Sequence, residues 1–214
     1  MMVGFHSMSS DADLVTEWRN GDSDAGEVLI ERHYDAIVRF FRTKTDHGAE
    51  DLVQRTFLVC SEKLHTYGGV ASFRAFLFGI ARNVLFEHLR ARTRDGRPDA
   101  ALGASAIVDL APGVSTLAFR RAEQRSLVDA LQRIPLELQL VVELYYWEEL
   151  GIDELAQLLE IPEGTVKSRL HRARALLREV MAQTPGTALP GSARLQLDAW
   201  AARFRDQRPE AEES

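Results

Sequence analysis

The sequence has one cysteine, no long apolar run and very little strand-like alternation. Because Cys60 is the only cysteine among 214 residues, an intramolecular disulfide is excluded. The six histidines are scattered, without the Cys/His spacing of a zinc site. Glycine-rich phosphate loops and Val/Ile/Thr runs are also scarce. These absences exclude a disulfide scaffold and indicate a helical protein with no structural metal.

The sequence also lacks a membrane-spanning segment and a net positive charge. No apolar stretch approaches the ~20 residues of a membrane-spanning helix. The first ten residues lack a basic segment followed by an apolar run, so we expect a cytoplasmic protein without membrane insertion. The formal net charge of −6 argues against a protein that coats nucleic acid unaided. The distribution of charge along the chain therefore matters more than its sum.

Apolar residues recur at three- and four-residue spacing through most of the chain, which predicts an all-α fold. The predicted helices are 12–19, 25–42, 50–64, 72–92, 117–134, one around 138–145, 152–159, 165–181 and a weak one at 192–205. A break rich in glycine, proline and small residues separates two blocks. We predict two small helical domains, 10–94 and 117–182, a flexible linker at 95–116 and a C-terminal extension at 183–214.

The second domain carries the strongest chemical signal, a helix-turn-helix. An apolar stripe over 152–159 is followed by the turn residues Pro162, Glu163 and Gly164 and then by a second helix. At ~100° per residue, Val166, Leu170, Ala173 and Leu177 share one sector of that helix, which predicts its buried face. The opposite face carries Ser168, His171 and Arg172, flanked by Thr165 and Lys167. Short hydroxyls and long cations are the side chains that read base edges and phosphates in a major groove.

The end of the first domain combines aromatic and basic residues. Between Arg82 and Arg97 there are five arginines against two acids, and Phe73 and Phe76 precede them. Aromatic rings stack on unpaired bases, arginines hold phosphates, and Asn83 offers an amide to an extruded base. A solvated helix end and two core phenylalanines explain the same residues, so this pattern alone leaves both readings open.

Two blocks of sequence resemble one family. The first consists of DLVQRTF (51–57), FRAFL (73–77) and IARN (80–83); the second consists of YWEEL (146–150) and IPEGTVKSRL (161–170). They look like the two domains of extracytoplasmic-function sigma factors, a subfamily of sigma-70-type subunits of bacterial RNA polymerase. The resemblance covers about residues 10–182, in the expected order and across a linker.

The resemblance implies an alternative sigma factor that binds core RNA polymerase through its β and β′ subunits and directs promoter-specific initiation. Its first domain would bind the clamp coiled coil and capture the melted −10 element. Its second domain would bind the flap and read the −35 element as duplex. An anti-sigma factor is a further partner that the resemblance allows. No cofactor, metal or catalytic activity is implied, and no nucleophile with a base is visible in the sequence.

Site residues carry over by position. The residues implied for polymerase binding are Asp51, Gln54, Arg55 and Leu58. Those implied for −10 binding are Asn83, Arg82, Tyr67 in the 66–71 loop, Arg90 and Arg92. Those implied for −35 reading are Lys167, Ser168, His171 and Arg172. Thr165, Arg169 and Arg174 belong to the same −35 set, where they touch phosphate, pair internally or cap the helix.

Three positions depart from the family pattern. Arg55 stands where an acid is usual, and Gly79 replaces a basic residue inside a helix. Glu160 occupies a turn position usually given to glycine, where a positive φ is expected. The main alternative function is a helix-turn-helix regulator that binds an operator without polymerase, usually as a dimer. The extension beyond Gln183 has no counterpart in the family pattern.

Overall fold

The computed structural model describes residues 9–45, 48–69, 71–94 and 128–183. The described helices are α1 (Asp11–Arg19), α2 (Ser23–Arg42), α3 (Ala49–Lys63), α4 (Phe73–Arg94), α5 (Leu136–Tyr146), α6 (Ile152–Leu159) and α7 (Glu163–Ala182). A 3-10 turn, Leu64–Thr66, follows α3, and residues 128–132 are also helical. The all-α prediction is confirmed. None of the described helices has the length and apolar character needed to cross a membrane.

The chain divides into two compact units, Met1–Ala101 and Leu102–Ser214. The first contains α1 to α4 and the second α5 to α7. The predicted linker at 95–116 and the weak helix at 192–205 lie outside the described residues. The four domain boundaries therefore stay predictions.

Local signals explain how the first unit begins. Ser10 caps α1 through a capping box: its hydroxyl accepts the Asp13 N–H, and the Asp13 carboxylate accepts the Ser10 N–H. After Gly21, whose φ is +99°, the Asp22 carboxylate caps α2 by accepting the N–H groups of Asp24 and Ala25. These caps place the start of α2 at Ser23, two residues before the predicted start.

One carboxylate ties α1 to α2. Asp11 Oδ1 accepts a hydrogen bond from Arg32 Nη1 at 2.7 Å, and Asp11 Oδ2 lies 2.8 Å from Nε2 of the buried His33. Burial raises the pKa of Asp11, but the hydrogen bonds and positive charges of His33 and Arg32 outweigh it and lower that pKa to about 2. The ring of His33 also packs on that of Phe73, with the centroids 5.5 Å apart, and this links the cluster to the start of α4.

The core of the first unit follows the helical spacing. Helical spacing in the sequence predicts that Leu29, His33, Ile37 and either Phe40 or Phe41 face inward on α2, as do Val53, Phe57, Cys60 and Leu64 on α3 and the following turn. The structure buries all of these residues, including both Phe40 and Phe41. Ile30, which was also predicted to face inward, is half-buried. Burial raises the pKa of the Cys60 thiol to about 12, so this thiol is protonated near neutral pH.

In the second unit, α5 is buried on most of its circumference, and this changes one prediction. The spacing places Tyr145 on the core stripe, but the structure buries Tyr146, at 3% exposure, and leaves Tyr145 half-buried. Because apolar and buried residues occur all around α5, its periodicity does not identify a single inward face. The buried aromatic ring at the end of α5 is therefore that of Tyr146 and not that of Tyr145.

Candidate nucleic-acid and polymerase interfaces

The turn between α6 and α7 sets the direction of the second helix. Glu160 has φ +56° and ψ +43°, which confirms the left-handed conformation expected at this position. The N–H of Ile161 donates to the Ala156 carbonyl at 3.0 Å, which closes a Schellman-type end to α6. Pro162 then caps α7, and its carbonyl accepts the N–H of Thr165 and of Val166. Glu163 and Gly164, predicted to lie in the turn, form the first residues of α7.

The two faces of α7 are separated as the wheel predicts. Its inner residues, Val166, Leu170, Ala173 and Leu177, are buried, with relative exposures between 0% and 2%. Four of the predicted −35 residues, Lys167, Ser168, His171 and Arg172, are exposed, and Thr165 is half-buried. Neither His171 nor Arg172 has a hydrogen bond or ion pair among the described residues. The outward face is therefore available to a partner.

Three other cations of α7, Lys167, Arg169 and Arg174, have partners within the chain. Lys167 Nζ lies 3.2 Å from Glu163 Oε2, in an exposed pair one turn apart. Arg169 Nη2 lies 2.8 Å from Glu137 Oε2, and Arg174 Nε donates to the Tyr146 hydroxyl at 2.7 Å. The internal pairing considered for Arg169 and Arg174 is thus what the structure contains.

An aromatic cluster lies at the start of α4. The centroid of the Tyr67 ring lies 6.0 Å from that of Phe73 and 5.1 Å from that of Phe76. The Tyr67 hydroxyl donates to the Ala71 carbonyl at 2.7 Å. The Tyr67 carbonyl in turn accepts a hydrogen bond from Arg19 Nη1 at 3.3 Å. Phe73 is buried, whereas Phe76 is half-buried. Tyr67 therefore fixes the loop that precedes α4 against α1 and α4.

The predicted −10 residues do not all share one face of α4. Phe76, Asn83 and Arg90 recur every seven residues and so line one side of the helix, about 10 Å apart. Asn83 and Arg90 are exposed there. Arg82 is half-buried beside Asn83, and its guanidinium packs 5.3 Å from the centre of the Phe86 ring. Arg92, nine residues beyond Asn83, lies at roughly 180° from it.

The charge of Arg92 acts on a neighbouring histidine instead. Burial lowers the pKa of His88, and the positive charge of Arg92 lowers it further. His88 Nε2 is buried without a hydrogen-bond partner among the described residues. This side of α4 therefore favours a neutral imidazole, and it differs from the side that carries Asn83.

The predicted polymerase-binding residues form one exposed surface on α3. Asp51, Gln54, Arg55 and Leu58 fall within a sector of roughly 100° and are all exposed. Leu58 keeps 55% of its surface in solvent, as predicted for a contact residue. Arg55 lies within this surface and contributes a positive charge beside Asp51.

Tyr34 and Tyr146 were not among the residues predicted to belong to these interfaces. Tyr34, on α2, is 45% exposed, and its ring stacks on that of Phe57 of α3 with the centroids 6.2 Å apart. Phe57 directly precedes Leu58 in the sequence. At ~100° per residue Tyr34 lies at the border of the apolar sector of α2, next to Phe41, and this border position was a usable signal. The bond between Tyr146 and Arg174 joins residues 28 apart in sequence, so no local pattern indicates it.

Comparison with known proteins agrees with this division. Residues 29–95 match the family model of Sigma-70 region 2, and residues 124–177 match that of Sigma-70, region 4. The first match includes α3 and α4, and the second includes α5, α6 and most of α7.

Similar proteins include the ECF RNA polymerase sigma factor SigW of Bacillus subtilis, 26% identical over 77% of this chain and 93% of its own length. The ECF RNA polymerase sigma factor SigM of Mycobacterium tuberculosis is 29% identical over 80% of this chain and 85% of its own length. A solved structure of the sigma factor RpoE of Bartonella quintana, in complex with the anti-sigma factor NepR, has a TM-score of 0.60. It is 25% identical and covers 72% of this chain and 94% of that chain.

Proposed function

Because the chain belongs to the extracytoplasmic-function subfamily of sigma-70-type sigma factors, we propose that its two units divide promoter recognition between them. The protein is an alternative sigma factor that directs promoter-specific transcription by RNA polymerase. Its proposed division of labour gives the −35 duplex to α7 and the melted −10 strand to α4. One observation carries the proposal: the outward face of α7 is exposed and basic while its opposite sector is fully packed.

On α7, we assign base reading to the exposed residues. Ser168 lies near the centre of the outward face, His171 and Arg172 lie on either side of it, and Lys167 extends the face beyond His171. Arginine forms paired hydrogen bonds to guanine edges, and a short hydroxyl bonds several bases. Thr165, near the N-terminus of α7, is placed for a phosphate contact, because helix N-termini favour anions.

On α4, the base-capture surface is proposed to consist of Asn83, Arg90 and the half-buried ring of Phe76. The Tyr67 loop borders it, because Tyr67 packs directly on Phe76. An amide can pair with the edge of an extruded base, and aromatic rings stack on unpaired bases. Arg82 lies at the flank of this surface and suits a backbone phosphate. Arg92, which faces the other side, is left to a contact outside the base pocket.

The polymerase-facing surface is proposed to combine α3 and α2. Leu58 and Tyr34 are the large apolar side chains in this part of the described chain that remain exposed, and Tyr34 stacks on α3. Exposed apolar groups surrounded by polar residues are typical of protein contacts. Asp51, Gln54 and Arg55 would supply the polar rim of this surface.

We propose that the protein acts in the cytoplasm with core polymerase and supplies no catalytic group itself. The RpoE structure is a complex with an anti-sigma factor. We propose a regulator of the same class for this chain, bound so that the polymerase-facing surface is covered. A soluble anti-sigma partner would then compete with core polymerase for the chain.

A three-arm binding experiment tests the proposed function. The full chain, core polymerase and a fluorescent promoter fragment are combined in pairs and together, and complexes are separated by gel filtration. We expect the chain to co-elute with core polymerase and to bring the promoter into the complex only when core is present. Tight promoter binding by the chain alone, as a dimer, would instead support an operator-binding regulator.

A further inference from the structure

Helix α7 is fastened to α5 on both flanks of its buried sector. At ~100° per residue, Arg169 and Arg174 lie on opposite sides of that sector, each roughly 70° from its centre. Arg169 pairs with Glu137 near the start of α5, at 2.8 Å. Arg174 bonds to Tyr146 at the end of α5, at 2.7 Å. The two arginines therefore hold α7 at two separate points along α5.

The contact with Tyr146 is the stronger of the two. Tyr146 is 3% exposed, and the guanidinium of Arg174 also lies 5.5 Å from the centre of its ring. This bond is part-buried, and a charge-assisted hydrogen bond that is partly shielded from water keeps more of its strength and direction than an exposed one. Glu137 is 65% exposed, so its ion pair with Arg169 is weakened by solvent.

A recognition helix needs such a directional contact. The apolar sector of α7 is held by burial, which has no preferred direction and tolerates small rotations of the helix about its axis. A roll of about 20° moves a side-chain end at a radius of ~5 Å by about 2 Å. Base contacts tolerate errors of only ~0.5 Å, so such a roll would misplace Ser168 and Arg172.

We propose that Tyr146 is a positioning residue for promoter reading: through its hydrogen bond to Arg174 it fixes the roll of α7. Neither side chain of this pair contacts a base. The proposal rests on the proposed −35 role of α7 and adds the contact that fixes the orientation of this helix. It also assigns Arg174 a role within the protein in place of a phosphate contact.

The test uses reconstituted holoenzyme and duplex promoters that differ only in the −35 element. The preferred element is first selected with the wild-type holoenzyme from a library randomised at those positions. Tyr146→Phe removes the hydroxyl and keeps the ring. We expect it to reduce the ratio of affinities for preferred and mismatched elements by about three- to tenfold. The slope of log affinity against log salt should stay unchanged, because no phosphate contact is lost.

Two further variants separate positioning from charge. Arg174→Lys keeps the positive charge but loses the planar Nε donor, so it should lose discrimination as Tyr146→Phe does. Tyr145→Phe removes the neighbouring half-buried hydroxyl, for which the described part of the chain offers no bond, and should behave as wild type. The double variant of Tyr146 and Arg174 should be no worse than either single one.

The opposite results are equally specific. If Arg174→Lys binds as wild type while Arg174→Ala reduces the salt slope by about 1, Arg174 is a phosphate contact and the proposal is wrong. Unchanged discrimination in Tyr146→Phe also overturns it. Should Tyr146→Phe lose helix content at the assay temperature, Arg174→Lys decides alone. Arg172→Ala reports separately on the proposed function: no effect of that variant would remove the −35 assignment itself.

Discussion

Arg172 is exposed on the outward face of α7, next to Ser168, where it is available for a bidentate contact with a base. Replacing it by alanine should cost ~1–3 kcal/mol of binding at the preferred −35 element and relax preference at one base position. The measurement is holoenzyme affinity for promoters with single −35 substitutions. Core polymerase binding should be unaffected. A variant that binds core weakly while it keeps its promoter preference would show that this face of α7 contacts polymerase.

Asn83 is the proposed base-capturing residue on α4. An extruded base loses a few kcal/mol of stacking and pairing, which a pocket must offset. Asn83→Ala should therefore reduce permanganate reactivity of −10 thymines in the holoenzyme complex and leave −35 duplex binding intact. Glu87→Ala, at an exposed position one turn along the same face, is the matched control. Equal reactivity in wild type and Asn83→Ala would remove this residue from the site.

Asp11 gives the fold a defined response to acid. Its pKa is about 2 in the folded chain, below the ordinary value of 3.8, so its stabilising contribution is complete above pH ~4 and is lost as pH falls toward about 2. That contribution is at most ~2 kcal/mol. Asp11→Asn should lower the unfolding free energy at pH 7, with a difference from wild type that shrinks between pH 4 and 2. Urea titrations followed by circular dichroism measure it.

The control for this titration is Asp35→Asn, which removes an exposed carboxylate from the same helix as His33. It should leave the unfolding free energy unchanged across the pH range. A constant difference between Asp11→Asn and wild type down to pH 2 would mean that the ionised carboxylate is not what stabilises α1 on α2.

The two tyrosines at the end of α5 show what residue spacing can and cannot reveal. On α7, where one sector is apolar and the other is polar, helical spacing identified four of the five buried positions and missed only Met181, in the last turn. On α5 the buried set includes Gln139 and Glu143, which bond to each other at 2.8 Å, so polarity no longer marks the exposed side. The hydroxyl of the buried Tyr146 is bonded to Arg174, and that contact depends on tertiary structure.

At the scale of elements, helix existence was predictable, but most helix starts were not. The wheel gave α6 its observed bounds, whereas α7 begins two residues before the predicted Thr165. Pro162 ends the turn by capping α7 and restricts its own φ, so Glu163 and Gly164 can already be helical. Composition suggested a longer turn because glycine and proline usually mark loops.

The turn between α6 and α7 contains a removable strain. A residue with a side chain in the left-handed region costs roughly 1–2 kcal/mol, which glycine avoids. Glu160→Gly should therefore raise the unfolding free energy of the second unit by about 0.5–1 kcal/mol, after the greater freedom of glycine in the unfolded chain is counted. Glu160→Ala keeps the strain and should give no increase. Thermal unfolding followed at Trp147 measures both variants.

The effect of Glu160→Gly on DNA binding distinguishes a change in stability from a change in the orientation of α7. Because Glu160 lies outside the outward face of α7, Glu160→Gly should leave the −35 preference of the holoenzyme unchanged. A gain in stability together with altered preference would mean that the strained turn itself sets the direction of α7.

At the scale of the whole molecule, charge and site location have to be considered together. The net charge is −6, yet α7 between Glu163 and Arg178 carries five cations against one acid. A small basic face on an acidic chain neutralises few phosphates, so its DNA affinity alone is low at physiological salt. Attachment of both units to polymerase makes the second DNA contact intramolecular and raises its effective concentration.

Attachment of both units to polymerase predicts a strict dependence on promoter spacing. If polymerase holds α7 and α4 at a fixed separation, inserting ~5 base pairs between the −35 and −10 elements turns one site to the opposite side of the duplex. Holoenzyme affinity should then fall about as far as it does when the −35 element is scrambled. Arg172→Ala should have little further effect on the misspaced promoter, because α7 no longer reaches its site there. Insertion of a full turn of ~10 base pairs restores the facing but not the distance, and should recover little. Undiminished affinity with altered spacing, together with a full effect of Arg172→Ala, would mean that the two units read DNA without being held by polymerase.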